Sequence, residues 1–507
     1  MKLGIGSLLM LSLVCGPVRC AEPAAELSGE LAPGISYSIR DGSRPGPTVL
    51  IVAGSRSPGP HLKLVTRQVR NWAITGGKLI LLTVDATGPL IFSRETTGAR
   101  GSPERTIWDF VEKSRPDWLV ELDEDNLYAQ AGKGARGGSL FHDGARQGAA
   151  IAAAMTAGVN ESIEVDDNRF IPRPGPAPGG SLALLAARRL ATRTMSPVVS
   201  VHQNVLTEGA THRQQGKYFP VRIVARIRHH RMMLHRLLLE LKVIGASINV
   251  HQLVPSAGTG KARRDSPLYM AVFDGYGTGA PRAFGEWLKS YPFVEMHPIG
   301  TIEIKAAGLE SFHVIVFPGG EAMEQWPALG VSGRLAIRKF VRSGGGYIGI
   351  CAGAYMTAQY PKYRWGLGLL DADILDHDHY ARGVGMVKIE LTDTGRETLS
   401  EPRKGLLDLH YGNGPLFVPA GKDGIPDYRA FAYYRTAIAR GEAKPETMID
   451  TPAIIAGAYG KGRVIASSGH TGWSEGLEDF FPRFVLWTGR REGVARPVAQ
   501  KAGAAGK

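Results

Sequence analysis

Residues 344–355 read Gly-Gly-Gly-Tyr-Ile-Gly-Ile-Cys-Ala-Gly-Ala-Tyr, and this stretch decides the fold of the second half of the chain. A glycine-rich turn leads into a short apolar strand, which ends in a Gly-x-nucleophile-x-Gly turn centred on Cys351. Small flanking residues permit the strained backbone that lifts a side chain off a strand at the start of a helix. The pattern predicts a cysteine nucleophile placed to attack a carbonyl; the alternative is a small buried apolar residue, since free cysteines are often buried.

The first twenty residues have the pattern of a secretory signal peptide. Lys2 gives the positive start, residues 3–14 form an apolar core, and a small-residue cleavage site precedes Ala21. This apolar run is too short to span a bilayer, and no other stretch of the sequence is long enough. We therefore predict an exported protein, periplasmic or secreted, with a signal peptide at 1–20 and no transmembrane segment.

The cysteine count supports a special role for one thiol. Of the three cysteines, Cys15 and Cys20 belong to the predicted leader, so the mature chain can form no internal disulfide. A lone thiol is an oxidation liability in an oxidising compartment, and its presence there favours a use for Cys351 over mere packing.

Composition and charge limit the classes of partner. With 507 residues, 43% apolar and 21% charged, the chain has the profile of a globular protein of two or three domains. The net charge of +13 falls to +11 without Lys2 and Arg19. Because no aromatic interleaving or nucleic-acid motif accompanies the basic segments, we expect no nucleic-acid partner and interpret them as a solvated surface. Contact with an acidic polymer or a membrane surface is the alternative.

Alternating strand-like and helical runs predict an α/β fold with two domains. Residues 22–46 are interpreted as an irregular lead-in, 47–254 as a first domain, 255–266 as a Pro/Gly linker and 267–490 as a second domain. The basic tail, 491–507, is predicted to be disordered.

The predicted elements follow from the periodicity of apolar residues. A basic helix at 221–241 is expected to carry His229 and His230 on its wet face, and residues 172–180 to form a loop. The predicted strands are 48–53, 79–84, 118–122, 198–201, 268–273, 314–317, the strand before Cys351 and 463–466; the other predicted helices are 145–157, 182–192, 280–290 and 332–342.

Five strings in residues 267–490 resemble the class I glutamine amidotransferase-like domain at the N-terminus of eukaryotic biotin–protein ligases, also found as stand-alone bacterial proteins. The biotin-activating Gly-Arg-Gly-Arg-like loop is absent, so the resemblance does not imply a biotin ligase. It implies a flavodoxin-like α/β fold. The strings are Val272–Thr278, Phe317–Gly320, Gly345–Tyr355, His379 with Arg382 and Gly383, and Tyr411–Pro415.

The resemblance also implies site residues. Cys351 would be the nucleophile, His470 the base and then the acid, and the backbone near Gly319, Gly320 and Ala352 the oxyanion site. Substrate contacts are assigned to Tyr411 and Asn413. The family's acid two residues after the histidine is missing, and Glu475 or Glu478 is the substitute. With no ammonia-consuming domain in the sequence, the predicted function is a stand-alone cysteine amidase acting on a carbon–nitrogen bond of a small molecule or peptide, without cofactor or metal; the alternative is a non-catalytic binding protein.

The first domain resembles, more distantly, the succinylglutamate desuccinylase/aspartoacylase branch of the zinc carboxypeptidases. Where that family carries its zinc ligands, this sequence has Arg56, Gly59 and Asp123. An arginine at a ligand position would repel the ion, so we expect a pseudo-enzyme domain without metal. The weaker alternative is a zinc-dependent carboxypeptidase or deacylase that uses His61, Glu124 and a third ligand.

Overall fold

Two α/β units follow each other along the chain, each built on a nine-stranded sheet. They are seen in a computed structural model that describes residues 26–57, 60–125, 136–163, 166–175, 179–203, 219–251, 253–254, 266–279, 283–306, 308–359 and 363–491. The α/β class that the sequence predicts is confirmed. The predicted leader, nearly all of the linker and all of the tail except Arg491 lie outside the described residues.

The first unit spans eleven strands and six helices in the described ranges. The strands are β1 (Glu26–Ala32), β2 (Ile35–Asp41), β3 (Arg44–Ala53), β4 (Gly76–Val84), β5 (Trp118–Glu121), β6 (Asp123–Asp125), β7 (Ser139–His142), β8 (Ile171–Pro174), β9 (Arg193–Ser200), β10 (His202–Gln203) and β11 (Phe219–Pro220). The helices are α1 (Pro60–Val69), α2 (Arg94–Gly98), α3 (Pro103–Ser114), α4 (Arg146–Asn160), α5 (Leu182–Leu190) and α6 (Ile223–Glu240).

The second unit also has eleven strands and six helices in the part of the chain that is described. Its strands are β12 (Leu268–Phe273), β13 (Val294–Ile299), β14 (Val314–Phe317), β15 (Gly346–Ile350), β16 (Ala372–Leu375), β17 (Val384–Leu391), β18 (Leu406–Gly412), β19 (Leu416–Pro419), β20 (Arg429–Tyr434), β21 (Pro452–Tyr459) and β22 (Gly462–Ser467). Its helices are α7 (Ala283–Trp287), α8 (Thr301–Lys305), α9 (Ala322–Arg342), α10 (Ala352–Tyr355), α11 (Asp393–Leu399) and α12 (Phe480–Thr488).

The first sheet runs in the order β1-β2-β4-β3-β5-β9-β7-β8, with β6 beside β9. Strands β4, β3, β5 and β9 are parallel, as the alternation of strands and helices predicts. The irregular lead-in expected at 22–46 is wrong where it is described, because β1 and β2 form an antiparallel hairpin that extends the sheet. The loop expected at 172–180 begins inside β8, which pairs with β7.

The second sheet runs in the order β13-β12-β14-β15-β22-β21-β20-β17-β18. Its first five strands are parallel, and β15 lies inside that parallel part, between β14 and β22. Alternate residues of each strand supply two cores: Val314 and Val316 pack on one face, Ile315 and Phe317 on the other. With both faces covered, the carboxyl edge of the parallel strands is where function is expected.

Helix α6 is buried, so the expected wet face for His229 and His230 is wrong. His230 is 0% exposed, and burial lowers its pKa to about 4. Arg228 and Arg231 of the helix are buried too, because they meet the second unit: Arg228 makes two hydrogen bonds of 2.7 Å to Glu303 of α8, and Arg231 lies 3.3 Å from the same carboxylate. A basic helix is thus an internal ionic contact between the two units.

Across the described ranges, no helix combines the length and the apolarity that crossing a membrane requires.

Candidate active site

Cys351 occupies a strained turn between β15 and α10. Its φ of 51° and ψ of −105° are unusual for a residue with a side chain, and such strain tends to occur at functional sites. Glycine is required on both sides of the turn: a Cβ on Gly349 would lie 2.2 Å from the carbonyl oxygen of Gly353, and one on Gly353 only 2.1 Å from that of Phe317. The elbow therefore sets the thiol at the carboxyl end of β15, an interior strand of the sheet.

Two backbone N–H groups reach the sulfur of Cys351, those of Gly320 and Ala352. Gly320 follows β14 with a φ of 130°, and a Cβ there would lie 2.0 Å from the carbonyl oxygen of Gly277. Only glycine fits at position 320, and the absence of a side chain there lets the loop backbone lie close to the thiol. Two fixed N–H donors beside a nucleophile are the arrangement that stabilises a developing oxyanion.

His470 faces Cys351 from the end of the neighbouring strand, β22. A Cβ built on Gly319 would lie 2.9 Å from Cε1 of His470 and 3.4 Å from Cβ of Cys351, so the two side chains flank one small gap. The imidazole stacks on Trp473, with ring centroids 4.4 Å apart and an angle of 16° between the planes. Its backbone N–H donates to the carbonyl oxygen of His410 at 2.8 Å, which ties this turn to β18.

Burial leaves both the thiol and the imidazole uncharged at neutral pH. It raises the pKa of Cys351 to about 11, although the two N–H donors act in the opposite direction. It lowers the pKa of His470 to about 4, with a further contribution from His410. The thiol donates to the carbonyl oxygen of Gly412 at 3.3 Å, so transfer of its proton to His470 requires rotation of the cysteine side chain. The resting pair is a neutral thiol beside a neutral base.

Alkylation of Cys351 by iodoacetamide is therefore expected to accelerate about tenfold per pH unit between pH 7 and 9.5, without a plateau on the acidic side. The sign follows from the raised pKa, about 11, because the thiolate fraction keeps growing up to that value. Rates are measured by intact-protein mass spectrometry, with urea-unfolded protein as the control for an ordinary thiol. A rate that is flat below pH 8 would indicate a thiolate–imidazolium pair and contradict this description.

The predicted orienting acid is not beside His470. Glu475 is exposed and does not line the cleft that holds Cys351. Within the described ranges, no carboxylate forms a hydrogen bond or ion pair with the His470 ring. The residue that contacts the imidazole from this segment is Trp473, whose ring stacks on it.

The two predicted substrate contacts differ in their placement. Tyr411 is fully buried outside the cleft, and its hydroxyl donates to the carbonyl oxygen of Gly414 at 2.9 Å, so its role is structural. Asn413 does line the cleft. Its Oδ1 accepts a hydrogen bond from the N–H of Gly383 at 2.7 Å, so that oxygen is already engaged.

The cleft around Cys351 has a volume of about 330 Å³ and is rich in aromatic side chains that sequence reasoning missed. Among the described lining residues, Glu321 is the one that carries a carboxylate. It directly follows the Pro-Gly-Gly string, and this position next to a predicted oxyanion loop is the sequence signal that could have identified it. The aromatic residues carry no motif and come from separate loops: Phe284, Trp287, Tyr355, Tyr363, Trp365, Tyr380 and Trp473.

The first unit brings together two of the residues considered for zinc. Nε2 of His61 lies 2.7 Å from Oε2 of Glu124, and Nη1 of Arg226 lies 2.8 Å from the same oxygen. Of the other places, Arg56 lies 3.9 Å from Asp123 as a charge pair, and Gly59 is outside the described residues.

These side chains do not fit a zinc ion. A guanidinium takes the position where a third ligand would stand, and cations repel. Among the residues described, three or more His, Cys, Asp or Glu side chains nowhere converge as a metal site. In the second unit, the Asp- and His-rich segment 371–379 also has ion pairs in place of a metal, since Asp376 pairs with His379 at 2.5 Å and with Arg382. The ancestral loss of zinc stays a prediction.

Comparisons with known proteins support the second-unit resemblance. The family described as biotin-protein ligase, N terminal, matches residues 304–372, which include the Gly319–Gly320 loop and Cys351 but not His470. No curated protein matches the chain.

Solved structures show similarity at low identity. A GMP synthase-like protein from Thermoplasma acidophilum is 13% identical, with 44% of this chain and 95% of that chain covered and a TM-score of 0.31. Cell shape determinant Csd4 of Helicobacter pylori, bound to a tripeptide, is 12% identical over 43% of this chain and 59% of that chain, with a TM-score of 0.32. A cytoplasmic protein of Salmonella typhimurium LT2 is 14% identical over 43% and 98%, with a TM-score of 0.30.

Proposed function

We propose that this protein is an exported cysteine-dependent hydrolase of carbon–nitrogen amide bonds. The observation that carries the proposal is the shared cleft in which the elbow thiol of Cys351 meets two backbone N–H donors and the His470 imidazole. These are the nucleophile, the oxyanion donors and the base that acyl transfer requires. The match of 304–372 to the biotin-protein ligase N-terminal family supports a fold of the amidotransferase-like kind.

The proposed reaction uses His470 first as base and then as acid. The Cys351 sulfur bonds to the amide carbon, its proton passes to His470, and the carbonyl π electrons move to the oxygen, which faces the N–H groups of Gly320 and Ala352. The carbon–nitrogen bond then breaks, its electron pair leaves with nitrogen, and His470 returns the proton to the departing amine. Water then gives a proton to His470 and attacks the thioester carbon, the carbon–sulfur bond breaks, His470 returns the proton to the Cys351 sulfur, and the acid is released.

An imidazole whose pKa burial lowers to about 4 is neutral at neutral pH and can accept a proton, but it is a weak base, so proton transfer from the thiol would accompany sulfur attack rather than precede it. A carboxylate partner is not essential to that role. It holds the imidazole in one orientation, and here stacking on Trp473 at 4.4 Å supplies an orienting contact instead. Export is proposed from the pattern of residues 1–20.

A second candidate function is binding without catalysis. It is favoured by the raised pKa of Cys351, about 11, and by the thiol's hydrogen bond to Gly412 rather than to His470. On this alternative, the aromatic cleft retains a ligand and the elbow is an inherited feature without turnover.

Acyl capture tests the proposal against this alternative. The protein is incubated with 4-nitrophenyl acetate or with acetyl-4-nitroanilide, quenched in acid and analysed by intact and peptide mass spectrometry. A hydrolase is expected to carry an acetyl group on Cys351 and to release the chromophore repeatedly. Binding of the anilide, seen by calorimetry, with no acetyl adduct from the more reactive ester would overturn the proposal in favour of a binding protein.

A further inference from the structure

The charges around the cleft differ from those of the protein as a whole. The chain carries a net charge of +13, yet the described residues lining the cleft include one carboxylate, Glu321, and no lysine or arginine. A substrate with a free carboxylate next to its scissile bond would find no permanent cation among those residues, whose basic side chains are the imidazoles of His377 and His470. The charge pattern therefore points to a neutral or cationic substrate.

Glu321 is available to a ligand. It follows Gly320 of the oxyanion loop and is exposed at the cleft wall, at the start of α9. Within the described part of the chain, its carboxylate forms no ion pair or side-chain hydrogen bond, and the neighbouring charge that acts on it is that of Glu324. Its charge is close enough to Cys351 to contribute to the raised pKa of that thiol.

Aromatic rings cover the surrounding walls. Tyr355 stacks on Tyr363 with centroids 5.5 Å apart, and Tyr363 meets Trp365 edge to face at the same separation. Trp473 is 48% exposed and Tyr380 46% exposed, so these large apolar surfaces are open to a ligand. The negative faces of aromatic rings attract organic cations, and a carboxylate among such rings adds to that attraction.

We propose that this cleft selects amides that carry a positively charged amino or guanidino group close to the scissile bond, with the aromatic rings around the cation and Glu321 as its counter-charge. This selectivity rests on the proposed hydrolysis, because it names the substrate class of the same site. A cation held at Glu321 would lie beside Gly320, one of the two oxyanion donors, so the scissile carbonyl and the charged group would be neighbours in the substrate.

Binding to the Cys351→Ala protein tests the selectivity without turnover. The probes are three N-acetylated primary amides of similar size: N-acetyl-lysinamide, N-acetyl-norleucinamide and the α-amide of N-acetyl-glutamic acid. Three of the eight tryptophans, Trp287, Trp365 and Trp473, line the cleft, so quenching of tryptophan fluorescence reports occupancy. We expect the lysine amide to bind about tenfold more tightly than the glutamic acid amide, with the norleucine amide between them.

Two variants assign the preference to one carboxylate. Glu321→Gln is expected to weaken the lysine amide about fivefold and to leave the norleucine amide unchanged. Glu324→Gln is the matched control: that carboxylate lies one turn along α9, accepts a hydrogen bond from Tyr276 at 3.3 Å and does not line the cleft. It should leave both affinities unchanged.

Equal affinity for the three amides, or preference for the acidic one, would overturn the inference. The outcomes separate it from the proposed function. Tight binding of the lysine amide to the Cys351→Ala protein, with no hydrolysis by the wild-type protein, supports the selectivity and contradicts the hydrolase. Hydrolysis of all three amides at similar rates, whatever their charge, supports the hydrolase and contradicts the selectivity.

Discussion

Replacement of Cys351 by alanine is expected to lower the rate of amide hydrolysis by about a thousandfold or more, while the folded structure persists. The side chain is small and 7% exposed, so its removal leaves a minor gap beside the cleft rather than a hole in the core. The N–H groups of Gly320 and Ala352 stay in place, and they account for the residual rate that such variants keep. Steady-state hydrolysis of the amide identified by acyl capture measures the loss, with circular dichroism as the check on folding.

Replacement of His470 by asparagine separates the base from the nucleophile. Loss of a general base costs about a hundredfold to ten-thousandfold, so this variant should be slow yet still acylated by an activated ester. His410→Asn is the matched control, because that imidazole lies 5.8 Å from the His470 ring and does not line the cleft. Its rate should stay near that of the wild type. If the Cys351→Ala protein still hydrolysed amides at the full rate, the proposed mechanism with Cys351 as nucleophile would be contradicted.

Replacement of Glu303 by alanine is expected to lower the free energy of unfolding by about 3–5 kcal/mol. Glu303 is 0% exposed and accepts hydrogen bonds from Nε and Nη2 of Arg228, with Arg231 3.3 Å away. Its removal takes away the carboxylate that these two buried guanidiniums share. Urea unfolding at pH 7 measures the loss, and Glu303→Gln, which keeps the shape, should be nearly as costly because the missing charge dominates.

The contribution of Glu303 to the free energy of unfolding should decrease as the pH falls. Burial favours the protonated carboxyl, but Arg228 and Arg231 outweigh burial and hold the pKa of Glu303 below its ordinary value of 4.5. Its stabilising contribution is therefore complete above pH 4.5 and is lost as the pH falls towards the lowered pKa, so the difference between wild type and Glu303→Ala should shrink in acid.

A surface pair provides the control for this measurement. Glu310 lies 3.7 Å from Lys339, with both side chains more than 70% exposed. Glu310→Ala should cost about 0.5 kcal/mol or less, because water screens the pair. Equal costs for the buried and the exposed replacements would contradict the importance of the buried contact.

The sequence predicted the parallel strands and the elbow because both depend on local patterns. Continuous apolar runs such as 314–317 and 268–273 can be satisfied only by strands covered on both faces. The glycines at 349 and 353 flank Cys351 because no other residue fits, so the turn is written in the sequence itself. The position of His470 near Cys351 could be predicted from the strand before it, because the parallel strands β15 and β22 end at the same edge of the sheet.

Other features depend on contacts that no local pattern records. Antiparallel strands such as β17 and β18 alternate buried and exposed residues and were overlooked among the loops between motifs. The charges of α6 favoured an exposed helix, yet their partner, Glu303, lies more than seventy residues away in the sequence. Glu475 was chosen by its distance along the chain from His470, whereas in the structure it is exposed and lies outside the cleft. The aromatic cleft comes from several loops, none of which carries a motif.

Helix α6 has a consequence for the modularity of the protein. It belongs by sequence to the first sheet, but the N–H of Val224 donates to Oδ2 of Asp274 at 3.0 Å, and Arg222 donates to the carbonyl oxygen of Thr278 at 3.2 Å. The segment from Asp274 to Thr278 pairs with Gly320, so the first unit supports the loop that carries an oxyanion donor. A gene for the second sheet alone would encode Glu303 without Arg228 and Arg231. It would also encode the segment from Asp274 to Thr278 without the contacts from Arg222 and Val224. The two halves are therefore expected to be inherited together and not exchanged as interchangeable parts.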